Sequence, residues 1–575
     1  MPSLVGLSAS SDTDTPGLRE GRACRNCAQV KERCLPFTGD TDSAATATIC
    51  QRCHRLKKTC STPAPVARKR PRTCTAVHGG RQPPTPAATP NSSNRHTAIA
   101  AVQASSAQEG ALLASATLDD LDVEFKQTLL DDFRRDMADQ FPFLTSQFEL
   151  SDAASYSKSA DYATCAEKAP FSVAVAIMAA LHRHCVLQKH VAREVLASLV
   201  NAMLIHGRKS MDMLFAINIL EAWYPFHLIA NPQMMNLLHL GRALIVDLGL
   251  AQPPHPNGVP PRLWADINHL IFGRNSGPHD LGAGYRAMMG LYYIGSYYAI
   301  TLRRSEFPHW SEIMETSCQY VEEHANGPLD VQAVHSIRLL QLAERYLNPK
   351  GVQPSQTMTV RAYVACFRAD IQKFRSALPP QLVTHHQFQL DIQSLEIALY
   401  DRIFTSDCPH HAEKIEALHA LLALVSNYID AYLAIALESF PLMTSTCKGQ
   451  ISQVLEVLSK LSALTGLDGW DVNYVRTHLN FGHVCDRLID KFEEVFLNER
   501  ARFPDMEASQ FAIYPIKVRQ RKKFFEEMMA KEVQQALNQT AYPTAQQMDP
   551  LGMTLPEGFD EYLQWSFPTE AFSWP

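Results

Sequence analysis

CRNCAQVKERC (residues 24–34) and CQRCHRLKKTC (residues 50–60) are two copies of one pattern, C-x2-C-x6-C, separated by fifteen residues. In register, Val30 stands opposite Leu56 and Lys31 opposite Lys57. Two cysteines two residues apart grip one metal from a tight turn, and a third, two helical turns later, returns along the same side. Tetrahedral zinc takes four thiolates at about 2.3 Å. The six cysteines, Cys24, Cys27, Cys34, Cys50, Cys53 and Cys60, therefore satisfy two Zn2+ ions only if two sulfurs are shared. Repeat symmetry makes Cys24 and Cys50 the natural bridging pair. A single-zinc ribbon on Cys24, Cys27, Cys50 and Cys53 is the weaker alternative, since it leaves Cys34 and Cys60 without a role. A disulfide framework is weaker still. His54 matches Ala28 in the first half, so it reads as a surface or phosphate-facing residue and not as a ligand.

The charge around this pattern is lopsided. Residues 19–72 hold thirteen Lys/Arg against four Asp/Glu, a net of +9, whereas the whole chain of 575 residues carries −6, which leaves −15 for the rest. With six thiolates and two Zn2+ counted, the basic stretch still keeps about +7. A small basic module on an acidic body points the basic part alone at a polyanion. The other eight cysteines are scattered singly, the N-terminus MPSLVGLSASSDTDT lacks a signal-peptide pattern, and the longest apolar run, residues 172–181, is half a membrane span. The expectation is a reducing intracellular setting with no membrane, where clustered cysteines bind metal.

The predicted fold class is mostly α: a small cluster module, then a large all-helical body, with a disordered linker and termini. Residues 1–20 form a polar N-terminus, 21–61 the cysteine module, 62–116 a proline-rich basic linker, 117–540 the helical body and 541–575 an acidic, aromatic tail. In the body, Leu118, Leu121, Phe125, Leu129 and Phe133 recur every three or four residues. A later helix carries punctuation: Asn231 as cap, Pro232 at the first position and Gly249 as the stop. There is no sustained strand alternation, no phosphate loop and no hydrolase, zincin or dinucleotide fingerprint, so the sequence gives no enzyme mechanism a foothold.

Two further segments bear on function. The string ARKRPR places Arg68, Lys69, Arg70 and Arg72 in the linker as the nuclear-localisation candidate; KVRQRKK (residues 517–523) is the rival, equally readable as a charged helix face. In the tail, Phe559, Tyr562, Leu563, Trp565 and Phe567 are interleaved with Glu557, Asp560 and Glu561. Phe559, Tyr562, Leu563 and Phe567 would share one face of an induced helix, the form in which such a segment enters a coactivator groove.

The cysteine repeat resembles the fungal Zn2Cys6 (zinc binuclear cluster) transcription factors. That resemblance implies two Zn2+ ions per cluster, a nuclear protein, and a first helix that enters the major groove of double-stranded DNA at a CGG-type triplet. It places the base-contacting lysine at Lys31, where guanine O6 and N7 would accept. Arg25, Arg33, Arg55, Lys57 and Lys58 read as phosphate-facing. Two features depart from the family pattern: the long loop over residues 35–49 with Asp40 and Asp42, and Val30 where a second basic residue is common.

Residues 129–144, 209–226, 236–250, 284–307 and 335–344 resemble the regulatory middle homology region of the same family. This implies control of the DNA-binding module, with a small-molecule effector in some members. Tyr292, Tyr293, Tyr297 and Tyr298 beside Gly290 and Gly295 are candidates to line an effector pocket, although plain helix packing is the simpler reading. The best coiled-coil seam, Ile99, Val102, Ser106, Glu109 and Leu113, is too polar for a zipper, so a homodimer through the body and a monomer both stay open. The resulting expectation is a sequence-specific regulator of RNA polymerase II genes, activating through its tail and engaging the transcription machinery, in a biosynthetic (secondary metabolite) gene cluster or nutrient metabolism. A repressor without activating function, and a zinc module that binds proteins, are the alternatives.

Overall fold

The computed structural model describes residues 118–144, 161–223, 233–251, 281–302, 308–348, 359–404, 411–504, 506 and 509–541, together with 50, 53 and 55–57. The chain divides into two compact units, Met1–Asn91 and Ser92–Pro575, a division that falls inside the proline-rich stretch. The described residues of the second unit are helical and contain no β-strand.

The first half of that unit is assembled from α1 (Val123–Asp132), α2 (Tyr162–Lys168), α3 (Pro170–Ala180), α4 (Cys185–Val200), α5 (Met211–Trp223), α6 (Met234–Asp247), α7 (Leu281–Leu302), α8 (Glu312–Glu323) and α9 (Pro328–Leu347). The second half contains α10 (Val360–Ser376), α11 (Pro380–Val383), α12 (His386–Phe404), α13 (His411–Leu433), α14 (Ser445–Ala463), α15 (Val472–His478), α16 (Phe481–Arg502) and α17 (Tyr514–Ala541).

Local chemistry explains many of the ends. Asp122, Asp161, Thr359, Asp471 and Asn480 each accept a backbone N–H from the first turn of α1, α2, α10, α15 and α16. A cap of this kind contributes about 1 kcal/mol. Gly249 has φ +74°, and its N–H bonds to the Val246 carbonyl while Leu250 N–H bonds to that of Ile245. This is the Schellman arrangement, and a glycine tolerates its left-handed residue best. The helix it ends starts at Met234, with Gln233 at the N-cap; Asn231 and Pro232 lie outside the described residues.

Two apolar cores result. Helix α3 is apolar on nearly every side and belongs in the middle of the first; Val175, Ala176, Ile177, Met178 and Ala179 are fully buried. Asp212 of α5 accepts from the amides of Phe171 and Ser172 and from the Ser172 hydroxyl, which anchors the start of α3. The second core is built by α10 and α12 to α17, with Tyr346 from the end of α9. Helix α12 serves both. Phe388, Ile392 and Leu395 face the first core, and Leu390, Ile397, Leu399 and Ile403 the second. Across the same seam, the Trp223 indole donates to the Leu442 carbonyl at 3.0 Å.

Helix α7 crosses α5 closely because it carries Gly290. A Cβ there would lie 2.5 Å from the Asn218 Oδ1 and 3.1 Å from both Phe141 and Phe143. The period-based expectation for the start of the body holds for Leu129 and Phe133, both buried, and in part for Phe125. Leu118 and Leu121 precede the helix, which Asp122 caps, and pack partly buried against the core. After Asp132, however, the helix widens into a π turn, Phe133–Met137, and tightens into a 3-10 turn, Ala138–Gln140.

Candidate functional site

Of the six predicted zinc ligands, Cys50 and Cys53 fall among the described residues. Both are buried, at 5% and 1% exposure, and the Cys53 amide donates to the Cys50 sulfur at 3.4 Å. The two-residue spacing thus makes a tight turn that faces both side chains inward. Directly after the turn, Arg55, Leu56 and Lys57 are exposed, and Lys57 has φ 50° in the left-handed region. Soft sulfur inside and cations outside is the distribution that a metal-held, phosphate-facing turn needs. Cys24, Cys27, Cys34, Cys60, Lys31, Arg25, Arg33 and Lys58 lie outside the described residues, as do Arg68, Lys69, Arg70 and Arg72 of the linker and Phe559, Tyr562, Leu563, Trp565 and Phe567 of the tail.

In the helical body, the four α7 tyrosines are buried. Three hydroxyls are committed to carboxylates of other helices: Tyr292 donates to Glu344 of α9, Tyr293 to Asp391 of α12 and Tyr298 to Glu221 of α5. The Tyr293 and Tyr297 rings pack 4.7 Å apart. These contacts are those of helix packing, the simpler of the two sequence readings. Gly295 serves it too, since a Cβ there would meet Arg242, Leu238 and Pro308 at 3.2–3.3 Å.

The second basic string also has a structural use. On α17, Arg519 pairs with Glu493 of α16, Lys522 with Asp486 at 2.7 Å, and Arg521 donates to the Ser452 carbonyl at 3.1 Å. His385 is partly buried, and its Nδ1 accepts from the Phe388 amide and caps α12.

The sequence reading missed a polar knot where the two cores meet. Asp391 is 4% exposed. Its Oδ1 accepts from Gln450 at 2.8 Å and Gln387 at 3.2 Å, and its Oδ2 from the Tyr293 hydroxyl at 3.1 Å. Tyr428 extends the chain by donating to Gln450 Oε1. Burial, opposed by these donors, raises the Asp391 carboxyl to about 6. Beside it, burial pushes the Cys447 thiol up to about 12, so this cysteine is an inert core residue. The one signal in the sequence was an acid set directly between Leu390 and Ile392.

Among the described residues no group of three His, Cys, Asp or Glu side chains could hold a metal ion, and no helix is long and apolar enough to cross a membrane.

Comparison with known proteins finds transcription factors. The chain is 24% identical over 459 residues to transcription factor himD of Aspergillus japonicus, covering 72% of this chain and 69% of that protein. It is 20% identical over 523 residues to transcription factor opdL of Penicillium oxalicum, covering 83% and 84%. No family model matches the chain. No solved structure matches it. Both of these fungal relatives are named transcription factors, and the likeness runs over most of the chain.

Proposed function

We propose that the chain is a zinc-dependent, sequence-specific DNA-binding regulator of RNA polymerase II transcription, working in the nucleus as an activator. The observation that carries this reading is the doubled C-x2-C-x6-C pattern inside a stretch of net charge +9. Cys24, Cys27, Cys34, Cys50, Cys53 and Cys60 would hold two Zn2+ ions, with Cys24 and Cys50 shared. The inward-facing sulfurs of Cys50 and Cys53 and the amide donated between them suit such a group. Zinc, when bound, supplies a cross-link that gives so small a module a fixed shape.

The chain's own cations do the rest. Lys31 reads guanine of a CGG-type triplet, while Arg25, Arg33, Arg55, Lys57 and Lys58 neutralise phosphates and set register. The linker string at Arg68–Arg72 directs nuclear import, because its rival on α17 is already engaged with α16. The helical body regulates, and the aromatic tail recruits coactivator. The printed names of the relatives agree with this at the level of a transcription factor.

The test is selection of bound sites from random duplexes with the purified chain, preceded by metal analysis. The expectation is two zincs per chain and a G-containing triplet, with the triplet preference lost and nonspecific binding kept in Lys31→Ala. One zinc per chain would favour the ribbon, and an unchanged preference in Lys31→Ala would show that another residue reads the base.

A further inference from the structure

Away from the cysteine module, one pair of buried side chains is arranged without completing its bonding. His182 lies on the 3-10 turn that follows α3, in the first half of the helical body, and Glu499 near the end of α16, in the second. They are 7% and 4% exposed, and His182 Nε2 stands 4.0 Å from Glu499 Oε1, beyond hydrogen-bond reach. No hydrogen bond of normal geometry reaches either His182 ring nitrogen or either Glu499 oxygen, although the Ala179 carbonyl stands by the ring and Ser509 by the carboxyl. Buried polar groups are almost always paired, so two facing orphans, each able to satisfy the other, describe a contact caught open. A neutral imidazole carries one proton; with it on Nδ1, towards the Ala179 carbonyl, Nε2 can only accept, and the pair closes when a Glu499 oxygen donates.

The surroundings decide where that proton goes. On the histidine's own turn are Arg183, stacked 3.8 Å from the Phe503 ring, and His184; the Ala179 carbonyl of α3 also faces it. Lys448 approaches from the start of α14 and acts on both members of the pair. Asp132 and Asp136 from α1 and the π turn, and Arg502 from α16, bear on Arg183; Ser509 bears on Glu499, and Cys185 of α4 on Lys448 and on Tyr514 of α17. Burial with three basic neighbours holds His182 well below the usual histidine range, hence neutral. Burial raises Glu499, against the pull of Ser509, Arg183 and Lys448. A neutral imidazole facing a carboxyl that keeps its proton gives an O–H···N bond with no buried charge on either partner.

We propose that His182 and Glu499 form a proton-operated clasp across the seam between the two cores, open when Glu499 is ionised and closed when it is protonated. Closing ties the turn after α3 to the end of α16. Coupling between the two halves of the body then strengthens as pH falls.

Glu499→Gln tests this, because a glutamine amide donates to His182 Nε2 at every pH. In the full chain at pH 7.5 the variant is expected to melt about 2 °C above wild type. The gap should close towards pH 5.5 as wild type closes its own clasp, and in a His182→Phe background Glu499→Gln should give no rise. If His182→Phe fails to fold, the wild-type background alone decides, with hydrogen exchange over residues 181–185 slowed by Glu499→Gln at pH 7.5. Equal melting at both pH values overturns the proposal. A lower melting temperature for Glu499→Gln at pH 7.5 also overturns it, by making Glu499 the counter-ion of Arg183 and Lys448.

Discussion

Asp391→Asn separates the shape of the central polar knot from its charge. An asparagine oxygen in place of Oδ1 keeps the donors from Gln387 and Gln450, and its amide in place of Oδ2 donates to the Tyr293 hydroxyl, reversing one bond. The number of hydrogen bonds is unchanged and the ionisation disappears. The carboxyl titrates near 3.8 when unfolded and about 6 when folded. Between those values the folded state binds more protons, so the site's contribution is present at low pH and is lost as pH rises through 6. Two pH units correspond to ~3 kcal/mol, of which about 1.5 kcal/mol is lost between pH 5 and pH 7.5. Urea unfolding of the full chain, followed by far-UV circular dichroism at both pH values, should show wild type losing that amount relative to Asp391→Asn. Asp391→Ala is the control: it orphans three donors, at about 1–3 kcal/mol each, and should be destabilised at both pH values. Parallel pH profiles for wild type and Asp391→Asn would refute the reasoning, because the buried carboxylate would then carry no ionisation cost.

Gly290→Ala places a methyl 2.5 Å from Asn218 Oδ1 and 3.1 Å from two phenylalanines. The ~1–3 kcal/mol of overpacking should exceed the ~1 kcal/mol gained in helix propensity, and an unchanged or raised urea midpoint would show that α5 and α7 yield freely. Removing residues 549–575 should abolish activation by the chain of a reporter carrying its selected site while leaving site binding intact; undiminished output would move the activating segment elsewhere.

The helical character of the body was legible because its signals are local. Leu129 and Phe133 fall on a helical period, and Gly249 stops a helix by a conformation that a side chain would oppose. Helix starts were less legible, since Gln233 holds the N-cap of α6 without a side-chain bond. Asp391 was illegible for a different reason. Its partners Tyr293 and Gln450 stand 98 and 59 residues away, and nothing in the pattern of one helix says which faces of two others it will meet. The tyrosine group shows the same limit: its spacing marks a face, while the carboxylates that take its hydroxyls arrive from three separate helices. His182 and Glu499, 317 positions apart, carry no mutual signal in the sequence at all.

Charge distribution connects the fold to the proposed function. Many of the body's described cations are engaged with carboxylates: Arg286 makes a two-pronged buried pair with Asp330 at 2.6 and 2.9 Å, Arg338 grips Glu315, Lys460 sits between Asp401 and Glu456, and the α17 string lies along α16. Such cations have no phosphate to seek, and the net −15 outside residues 19–72 repels a polyanion. On the proposed reading, affinity for DNA resides in the cysteine module, where Arg55 and Lys57 are exposed. A body that is acidic and internally paired can respond to signals of its own, among them a proton at the seam, without adding nonspecific contacts that would blur the choice of site.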